Sequence, residues 1–388
     1  MKKLFTVASM LLVVGQAGLA AAQTCTVTNN DGSTDSFAPP GSLGNCINQA
    51  NSFPGPFTIS FNIPANVTPD IIADTEYLIT NSWGVVIDGY TQPGAVPNTN
   101  FTPQPLNTQL VVSVSVVPDT TMWRGYAVFR IEASNVTIRG LNIHSGPLFE
   151  VAICFLSGAG ADCNGNRIEG NFLGTDITGT VPRPSGWLPW NPPYGAGVFL
   201  GSGSSQNLVG VFPDGNNDAA ERNLISGESP IVTPGTSFVG HGVLIDGTGT
   251  RPAYNYIIGN VIGSNPGITT PVPNNYGITI YNGVGTGQII GNVISGNIVD
   301  GIWSGMATGS IGGNNARWEI VANAIGIDPN TDTLLPNGED GVHIEGGTQD
   351  FTIGELDNWA MANVISGNGR HGVYIYGANL ASTRDNGI

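Results

Sequence analysis

Three stretches of the chain repeat one short pattern: Asn255-Tyr-Ile-Ile-Gly-Asn260, Asn292-Val-Ile-Ser-Gly-Asn297 and Asn363-Val-Ile-Ser-Gly-Asn368. Residues 166–171, 223–228 and 288–292 carry related copies. After each copy comes a glycine and an alternating apolar run, as in Gly341-Val-His-Ile344. Alternation predicts strands with one buried face, and Gly and Asn suit the tight corners between them.

The two patterns alternate along the chain at irregular intervals, and a longer unit encloses them. Asn171-Phe-Leu-Gly-Thr-Asp176, Asn260-Val-Ile-Gly-Ser-Asn265 and Asn323-Ala-Ile-Gly-Ile-Asp328 are its copies. The strand pattern stays the same while the loops between strands vary in length. This indicates many stacked coils that share one cross-section. The sequence therefore predicts an all-β, single-stranded parallel β-helix. Asparagines at one corner, such as Asn223, Asn255 and Asn363, are expected to pair their amides as a ladder.

The repeats resemble those of secreted bacterial right-handed parallel β-helix proteins, the pectate-lyase-like architecture. Residues 41–51, 57–64 and 86–94 resemble the N-terminal part of such proteins. The resemblance implies a right-handed coil over nearly all of residues 24–388. It does not decide the activity, because lyases, hydrolases, epimerases, adhesins and passive spacers share this architecture.

Three segments are expected along the chain. Residues 1–22 read as a signal peptide, with Lys2 and Lys3 before an apolar run and small residues at 20–22, although a buried first helix is an alternative. Residues 23–65 are predicted to form an N-terminal cap and first coil, with a short helix whose N-cap is Ser42. Residues 66–388 form the β-helix. The chain stops within another apparent Asn-x-Ile strand at Asn386, so further sequence or a partner is expected there.

Four cysteines fit an exported chain. Cys25, Cys46, Cys154 and Cys163 allow three pairings, and proximity favours Cys25–Cys46 and Cys154–Cys163. The spacing is unlike that of zinc fingers.

Charge narrows the classes of partner. The chain has 28 acidic and 12 basic residues, for a net charge of −16, and both lysines lie in the signal-like segment. Such a chain repels phosphates, which excludes nucleic acid and anionic lipid as expected partners. No segment is long and apolar enough to predict membrane insertion. A secreted, extracellular or cell-surface location is therefore expected.

Aligning the second strand of each coil places chemically distinctive residues in columns on an outward face. The expected ligand-binding residues are Tyr281, Trp303, His343, Glu345, Tyr374 and Tyr376. Aromatic rings stack on the apolar faces of sugars, and carboxylates accept hydrogen bonds from hydroxyls, so a polysaccharide or cell-surface glycan is the expected partner. The same residue types also favour strands on an ordinary solvated face, so both interpretations stay open.

Candidate catalytic residues flank this face. Asp300 and Asp340 occupy one column, at a separation usable for glycoside hydrolysis, and His371 adds acid–base capacity. Gly240-His241-Gly242 resembles one motif of the polygalacturonase family, but the other motifs are absent, and His241 shares the repeat position of His371. A lysine base is excluded because the exported part has none, while an arginine base stays open.

Two weaker signals lie in loops. Trp187 and Trp190 stand in a proline-rich insertion that either grips a ligand or shields the core. The loops at 214–218 and 328–332 offer oxygen ligands for calcium, but neither matches an EF-hand, so no cofactor is certain and calcium is a possibility only.

Three functions follow from these observations. The favoured one is an exported binding or adhesion scaffold for carbohydrate. The alternatives are a polysaccharide-degrading hydrolase or lyase, and a passive spacer of a larger surface protein.

Overall fold

The computed structural model describes residues 22–117, 124–155, 163–183, 194–229, 239–282, 284–305, 315–354, 361–377 and 386–387. The proposed signal peptide and the insertion with Trp187 and Trp190 lie outside these residues. No helix in the described ranges is both long and apolar enough to span a bilayer.

The described elements are, in chain order, β1 (Gln23–Val27), α1 (Leu43–Ser52), β2 (Phe57–Phe61), β3 (Asp70–Ala73), β4 (Tyr77–Ile79), β5 (Val85–Asp88), β6 (Ser113–Val116), β7 (Ala127–Ile131), β8 (Val136–Arg139), β9 (Asn142–His144), β10 (Phe149–Ile153), β11 (Arg167–Glu169), β12 (Phe172–Leu173), β13 (Tyr194–Leu200), β14 (Leu208–Gly210), β15 (Leu224–Ile225), β16 (Val239–Asp246), β17 (Asn255–Ile258), β18 (Val261–Ile262), β19 (Tyr276–Tyr281), β20 (Gly287–Ile290), β21 (Val293–Ile294), β22 (Ile302–Gly305), β23 (Trp318–Val321), β24 (Ala324–Ile325), β25 (Ile327–Asp328), β26 (Thr333–Leu334), β27 (Val342–Glu345), β28 (Thr352–Ile353), β29 (Val364–Ile365) and β30 (Val373–Tyr376). Short 3₁₀ turns cover Gly89–Thr91 and Asp218–Glu221.

The strands form three long parallel sheets, and each coil gives one strand to each. Sheet A has the order β1-β2-β5-β8-β11-β14-β17-β20-β23-β28, sheet B runs from β3 to β29, and sheet C runs from β4 to β30. A small antiparallel hairpin of β25 and β26 stands apart. The predicted right-handed single-stranded parallel β-helix is confirmed. Isoleucine, valine and leucine side chains from all three sheets fill the bore.

The repeated Asn-x-Ile pattern belongs to two sheets, which corrects the single alignment made from the sequence. Copies at 166–171, 255–260 and 288–292 begin strands of sheet A, whereas those at 223–228, 292–297 and 363–368 begin strands of sheet B. One pattern serves twice because both strands start at a corner where a buried asparagine bonds to the next coil.

Those corners carry separate asparagine ladders. At the A-to-B corner, Asn171, Asn223, Asn260, Asn292, Asn323 and Asn363 follow one another. The backbone N–H of Asn260 donates to Asn292 Oδ1 at 2.9 Å, and Asn260 Nδ2 donates to the same oxygen at 3.0 Å. The expected ladder of Asn223 and Asn363 is thus present, but Asn255 belongs to a second one, where it accepts from Asn207.

The glycine that opens most sheet C strands has a steric reason. A Cβ built on Gly277 lies 2.5 Å from the carbonyl oxygen of Gly301 in the next coil, which no side chain tolerates. A side chain at position 277 would therefore clash with the backbone of the next coil.

The N-terminal cap is as predicted. Ser42 Oγ accepts a hydrogen bond from the Asn45 N–H and begins α1, whose Leu43, Ile47 and Ala50 are buried against the first coil. Disulfides join Cys25 to Cys46 and Cys154 to Cys163, which confirms both pairings. Two disulfides indicate a chain that folds in an oxidising compartment.

A long loop between β5 and β6 covers the outer face of sheet B, and we call residues 92–112 the strap. Leu106 and Leu110 of the strap pack on outward side chains of that sheet. The Leu106 N–H donates to Pro266 O, Thr102 Oγ1 donates to Gly291 O, and Asn330 Nδ2 donates to Pro103 O. The strap therefore covers part of the outer face of sheet B.

A third ladder follows sheet B and ends in an acid pair. Asn274, Asn297, Asn337 and Asn368 form it, and Glu228 takes the next place, where its N–H donates to Asn274 Oδ1. Glu228 and Glu150 are fully buried and hydrogen-bonded to each other. Burial first, and then the charge of Glu228, raise the pKa of Glu150 well above its usual 4.5.

Replacing Asn292 with alanine removes its four ladder hydrogen bonds, to Asn260, Ile257 and Asn323. Since a hydrogen bond contributes about 1 kcal/mol and buried donors are left unpaired, we expect the free energy of unfolding to fall by roughly 3 kcal/mol. Urea denaturation measures it. The exposed Asn216→Ala is the control, and equal midpoints for the two variants would contradict a structural role for the ladder.

The raised pKa of Glu150 has a defined sign for stability. The folded protein keeps a proton that unfolded glutamic acid releases, so the free energy of unfolding falls as pH rises from about 4.5 towards the raised pKa. Glu150→Gln, which stays neutral, is expected to raise the melting temperature at pH 8 but not at pH 4. The exposed Glu319→Gln is the matched control, and a pH-independent difference for Glu150→Gln would exclude a shared proton.

Candidate functional site

The site lies on the outer face of sheet C, in its last coils. Thr279 pairs with Trp303, Trp303 with His343, and His343 with Tyr374, so these side chains form one column. Tyr281 pairs with Gly305, and Glu345 with Tyr376, in a second column two residues further on. The register predicted from the sequence is the register observed.

Asp300 and Asp340 lie side by side beneath this face, in adjacent coils, each two residues before its strand. Both are buried, with 1% and 0% of their surface exposed. The Asp340 N–H donates to Asp300 Oδ1 at 2.8 Å. No more than 1% of either residue is exposed, so a large ligand can hardly touch these carboxylates. They are better placed to orient neighbouring side chains.

His343 stands above Asp300. Its Nδ1 lies 3.1 Å from Asp300 Oδ2 and 3.7 Å from Asp340 Oδ2, and its Nε2 lies 3.5 Å from Glu345 Oε2. Burial lowers the pKa of His343, but the hydrogen bond that its Nδ1 donates to Asp300 and the charges of Asp300, Glu345 and Asp340 outweigh burial, so the pKa is raised above 6.5. The surrounding carboxylates therefore favour the charged imidazole.

A second carboxylate–histidine pair adjoins the first. His371 Nδ1 lies 2.8 Å from Asp340 Oδ1, and the His371 N–H donates to the same oxygen at 3.0 Å. Arg370 holds the carboxylate with Nη2 at 2.6 Å and Nε at 3.2 Å. Burial raises the pKa of Asp340, but these bonds from Arg370 and His371 lower it below its usual value. Asp340 is thus ionised and fixes the ring of His371, whose other nitrogen is left for an outside group.

Aromatic rings line the rest of the face. Tyr374 stacks on His371 at 5.0 Å and on Tyr376 at 6.2 Å, and meets His343 edge-on at 4.9 Å. Two coils before Tyr374, Trp303 lies 6.1 Å from Tyr276 and 5.8 Å from Tyr281, which belong to the coil before that. These rings are partly exposed, so a chain molecule has an aromatic track along several coils.

Tyr276, Tyr281 and Trp303 also form one side of a depression of about 370 Å³. Its other lining residues are Tyr194, Val239, His241, Leu244, Asp246 and Thr279. His241 is buried, which lowers its pKa to about 3 and keeps the imidazole neutral. We call this depression the aromatic pocket.

The structure brings together all the described residues expected at the site: Asp300, Asp340, His371, Tyr281, Trp303, His343, Glu345, Tyr374 and Tyr376. Trp187 and Trp190 lie outside the described residues. The site residues expected from the sequence did not include Tyr276 or Tyr194, and Arg370 was only one of several candidates for an arginine base. Tyr276 shares the column of Asp300 and could have been found from the register, whereas the reach of Arg370 to Asp340 leaves no trace in the pattern.

Metal binding is chemically conceivable at one place in this site. Asp300, Asp340 and His343 each offer a ligand atom, and the three atoms lie within 4.8 Å of one another. Arg370 already neutralises Asp340, however, which disfavours a cation there. In the proposed calcium loop at 328–332, Asp328 instead accepts from Asn330 and Thr331 of its own turn.

Comparisons with known proteins add little beyond the architecture. No protein-family model matches the chain, and no curated protein matches it. Among solved structures, the periplasmic alginate epimerase AlgG is 11% identical, with a TM-score of 0.26, over 91% of this chain and 85% of that one. The A-module of the Azotobacter vinelandii mannuronan C-5 epimerase AlgE4 is 14% identical, with a TM-score of 0.33, over 91% and 98%.

The catalytic domain of a GH87 alpha-1,3-glucanase in complex with nigerose is 10% identical, with a TM-score of 0.26, over 94% of this chain and 61% of that chain. At such identities and TM-scores, these similarities carry no argument about activity.

The four histidines make the site open to NMR titration. We expect His343 to titrate above 6.5 and His241 to stay neutral down to about pH 4, since its pKa is about 3. Asp300→Asn removes the partner that favours the charged imidazole, so the pKa of His343 should fall.

The control is Asp350→Asn, an exposed carboxylate on another face of the coil. A pKa of His343 that is the same in Asp300→Asn and in the unaltered protein would show that the 3.1 Å contact does not exist in solution.

Proposed function

We propose that this chain is an exported protein that binds a polysaccharide along the outer face of sheet C. The observation that carries the proposal is the track of partly exposed rings, Tyr276, Trp303, Tyr281, Tyr374 and Tyr376. These rings come from three of four successive coils, and the remaining coil contributes His343. Coils repeat every ~4.8 Å, so the track offers similar contacts at regular steps. A polymer of sugars meets such a surface better than a single small molecule.

Charge favours a neutral glycan over an acidic one. The protein carries a net charge of −16, and Asp300, Asp340, Glu339 and Glu345 surround the track, with Arg370 tied to two of them. A polyanion would meet repulsion on approach. Neutral hydroxyls, in contrast, can donate hydrogen bonds to the partly exposed carboxylates of Glu339 and Glu345.

A second function is favoured by the paired histidines. Buried carboxylates hold the Nδ1 atoms of His343 and His371, the arrangement that orients an imidazole for general acid–base catalysis. In this alternative the protein is a hydrolase or lyase. His371 exchanges a proton with the bound sugar chain, while Asp340 and Asp300 orient the two imidazoles.

The role of a surface or secreted binder accords with the two disulfides and with the signal-like N-terminus. Whether the protein is anchored or released is not part of the proposal.

Affinity electrophoresis in gels containing neutral glycans tests the binding proposal. We expect retardation by at least one glycan, and Trp303→Ala should weaken it roughly tenfold, as expected for the loss of a large aromatic contact. Trp83→Ala is the matched control, because Trp83 is 63% exposed in the turn between β4 and β5, several coils before Trp303. Equal retardation of both variants would place the binding surface elsewhere.

Assays for cleavage products distinguish the enzymatic alternative from binding alone. Incubation with the retarding glycan, followed by assays for new reducing ends and unsaturated sugars, should give products that disappear in His371→Ala. Retardation without products supports a binding role alone.

A further inference from the structure

The aromatic pocket has an unusual floor for a sugar site, because its described lining offers few free hydrogen-bonding groups at depth. Leu244 and Thr279 form the floor, with 4% and 1% of their surface exposed. The Thr279 hydroxyl lies 2.8 Å from His241 Nδ1, and only 1% of Thr279 is exposed, so this hydroxyl bonds within the protein and is hardly accessible to a ligand. A sugar hydroxyl at this depth would lose water with little compensation from Thr279, which is unfavourable.

The walls are equally apolar. Val239 closes one side, and the rings of Tyr194, Tyr276, Tyr281 and Trp303 surround the opening. His241 stacks on Tyr276 with 5.6 Å between ring centres. Because it is buried and neutral, His241 adds no charge to the pocket.

Polar atoms collect at the rim instead. Asp246 Oδ1 accepts hydrogen bonds from the N–H and the hydroxyl of Thr248, so this carboxylate oxygen is engaged by the loop that follows β16. The next coil brings Asp300 beside Tyr276, and the coil after that brings His343, which contacts Asp300. A glycan chain lying on the track thus meets polar groups at surface level and an apolar cavity below.

We propose that the aromatic pocket selects a glycan unit carrying a methyl-bearing substituent, either an O-acetyl group or the methyl of a 6-deoxy sugar. The inference rests on the proposed glycan binding and adds the chemical class of the substituent. Burying a methyl against Leu244 and the surrounding rings is favourable, whereas a hydroxyl there stays unpaired. A volume of about 370 Å³ is at the lower end of that of ligand pockets, which suits one substituted sugar unit.

The test uses one polymer in two forms. Acetylated xylan and the same xylan after mild alkaline deacetylation are compared in affinity gels, with the full chain as the probe protein. We expect the acetylated form to bind roughly tenfold more tightly. D-Fucose and D-galactose, which differ only by the 6-hydroxyl, serve as competitors and report whether a 6-deoxy methyl is preferred instead.

Leu244→Asn puts a polar group on the floor and should remove the preference between the paired probes. Leu334→Asn is the matched control, because Leu334 is 57% exposed on the β25–β26 hairpin and should leave the preference intact. Melting curves of both variants check that they fold.

The outcomes separate the two proposals. Equal binding of both members of both pairs overturns the selectivity while leaving glycan binding in place. A preference that survives Leu244→Asn overturns the assignment to this pocket. If no glycan retards the protein and neither competitor binds, the proposed function fails and the selectivity fails with it.

Discussion

The fold depends on one repeated interaction, made by an asparagine at a corner of the coil. Its side-chain oxygen accepts a hydrogen bond from a backbone N–H of the preceding coil. Its side-chain amide donates to a backbone carbonyl and to the oxygen of the next asparagine in the ladder. Each such side chain closes a corner that would otherwise bury unpaired polar groups. Asn260, Asn292 and Asn323 show the arrangement repeated in successive coils. Because the ladder fixes the spacing and register of the coils, it also fixes which outward residues become neighbours.

The site is a consequence of that register. Asp300, His343 and His371 come from three consecutive coils, and their contacts exist only because the strands of sheet C are stacked without a shift. The outer face of the same sheet is apolar and packed in its earlier coils, where Phe149 and Phe199 stack on each other. In the later coils, aromatic and acidic side chains lie together on this face. Position along the coil axis therefore decides which part of the face can take a ligand.

Much of this could be predicted from the sequence, because a repeat turns one-dimensional spacing into three-dimensional columns. The helix that begins after Ser42, both disulfides and the columns through Trp303 and Tyr281 follow from pattern and proximity. The division of the Asn-x-Ile copies between two sheets could not be predicted in this way, because both corners require an asparagine at the start of the strand. The burial of Asp300 and Asp340 was also beyond the pattern, which gives their column but not the depth at which Arg370 and the histidines cover them.

The strap gives this solenoid a property that stacked repeats generally lack. Units that touch only their neighbours can fray one after another from an end. Here a segment that leaves between β5 and β6 is bonded to Pro266, Gly291 and Asn330 several coils away. Unravelling of the coil that contains Asn330 must break contacts anchored near the start of the rod, so the strap makes unwinding more cooperative. The strap also fixes the number of coils that it spans. Inserting or deleting a whole coil there would move Pro266, Gly291 and Asn330 away from their partners in the strap.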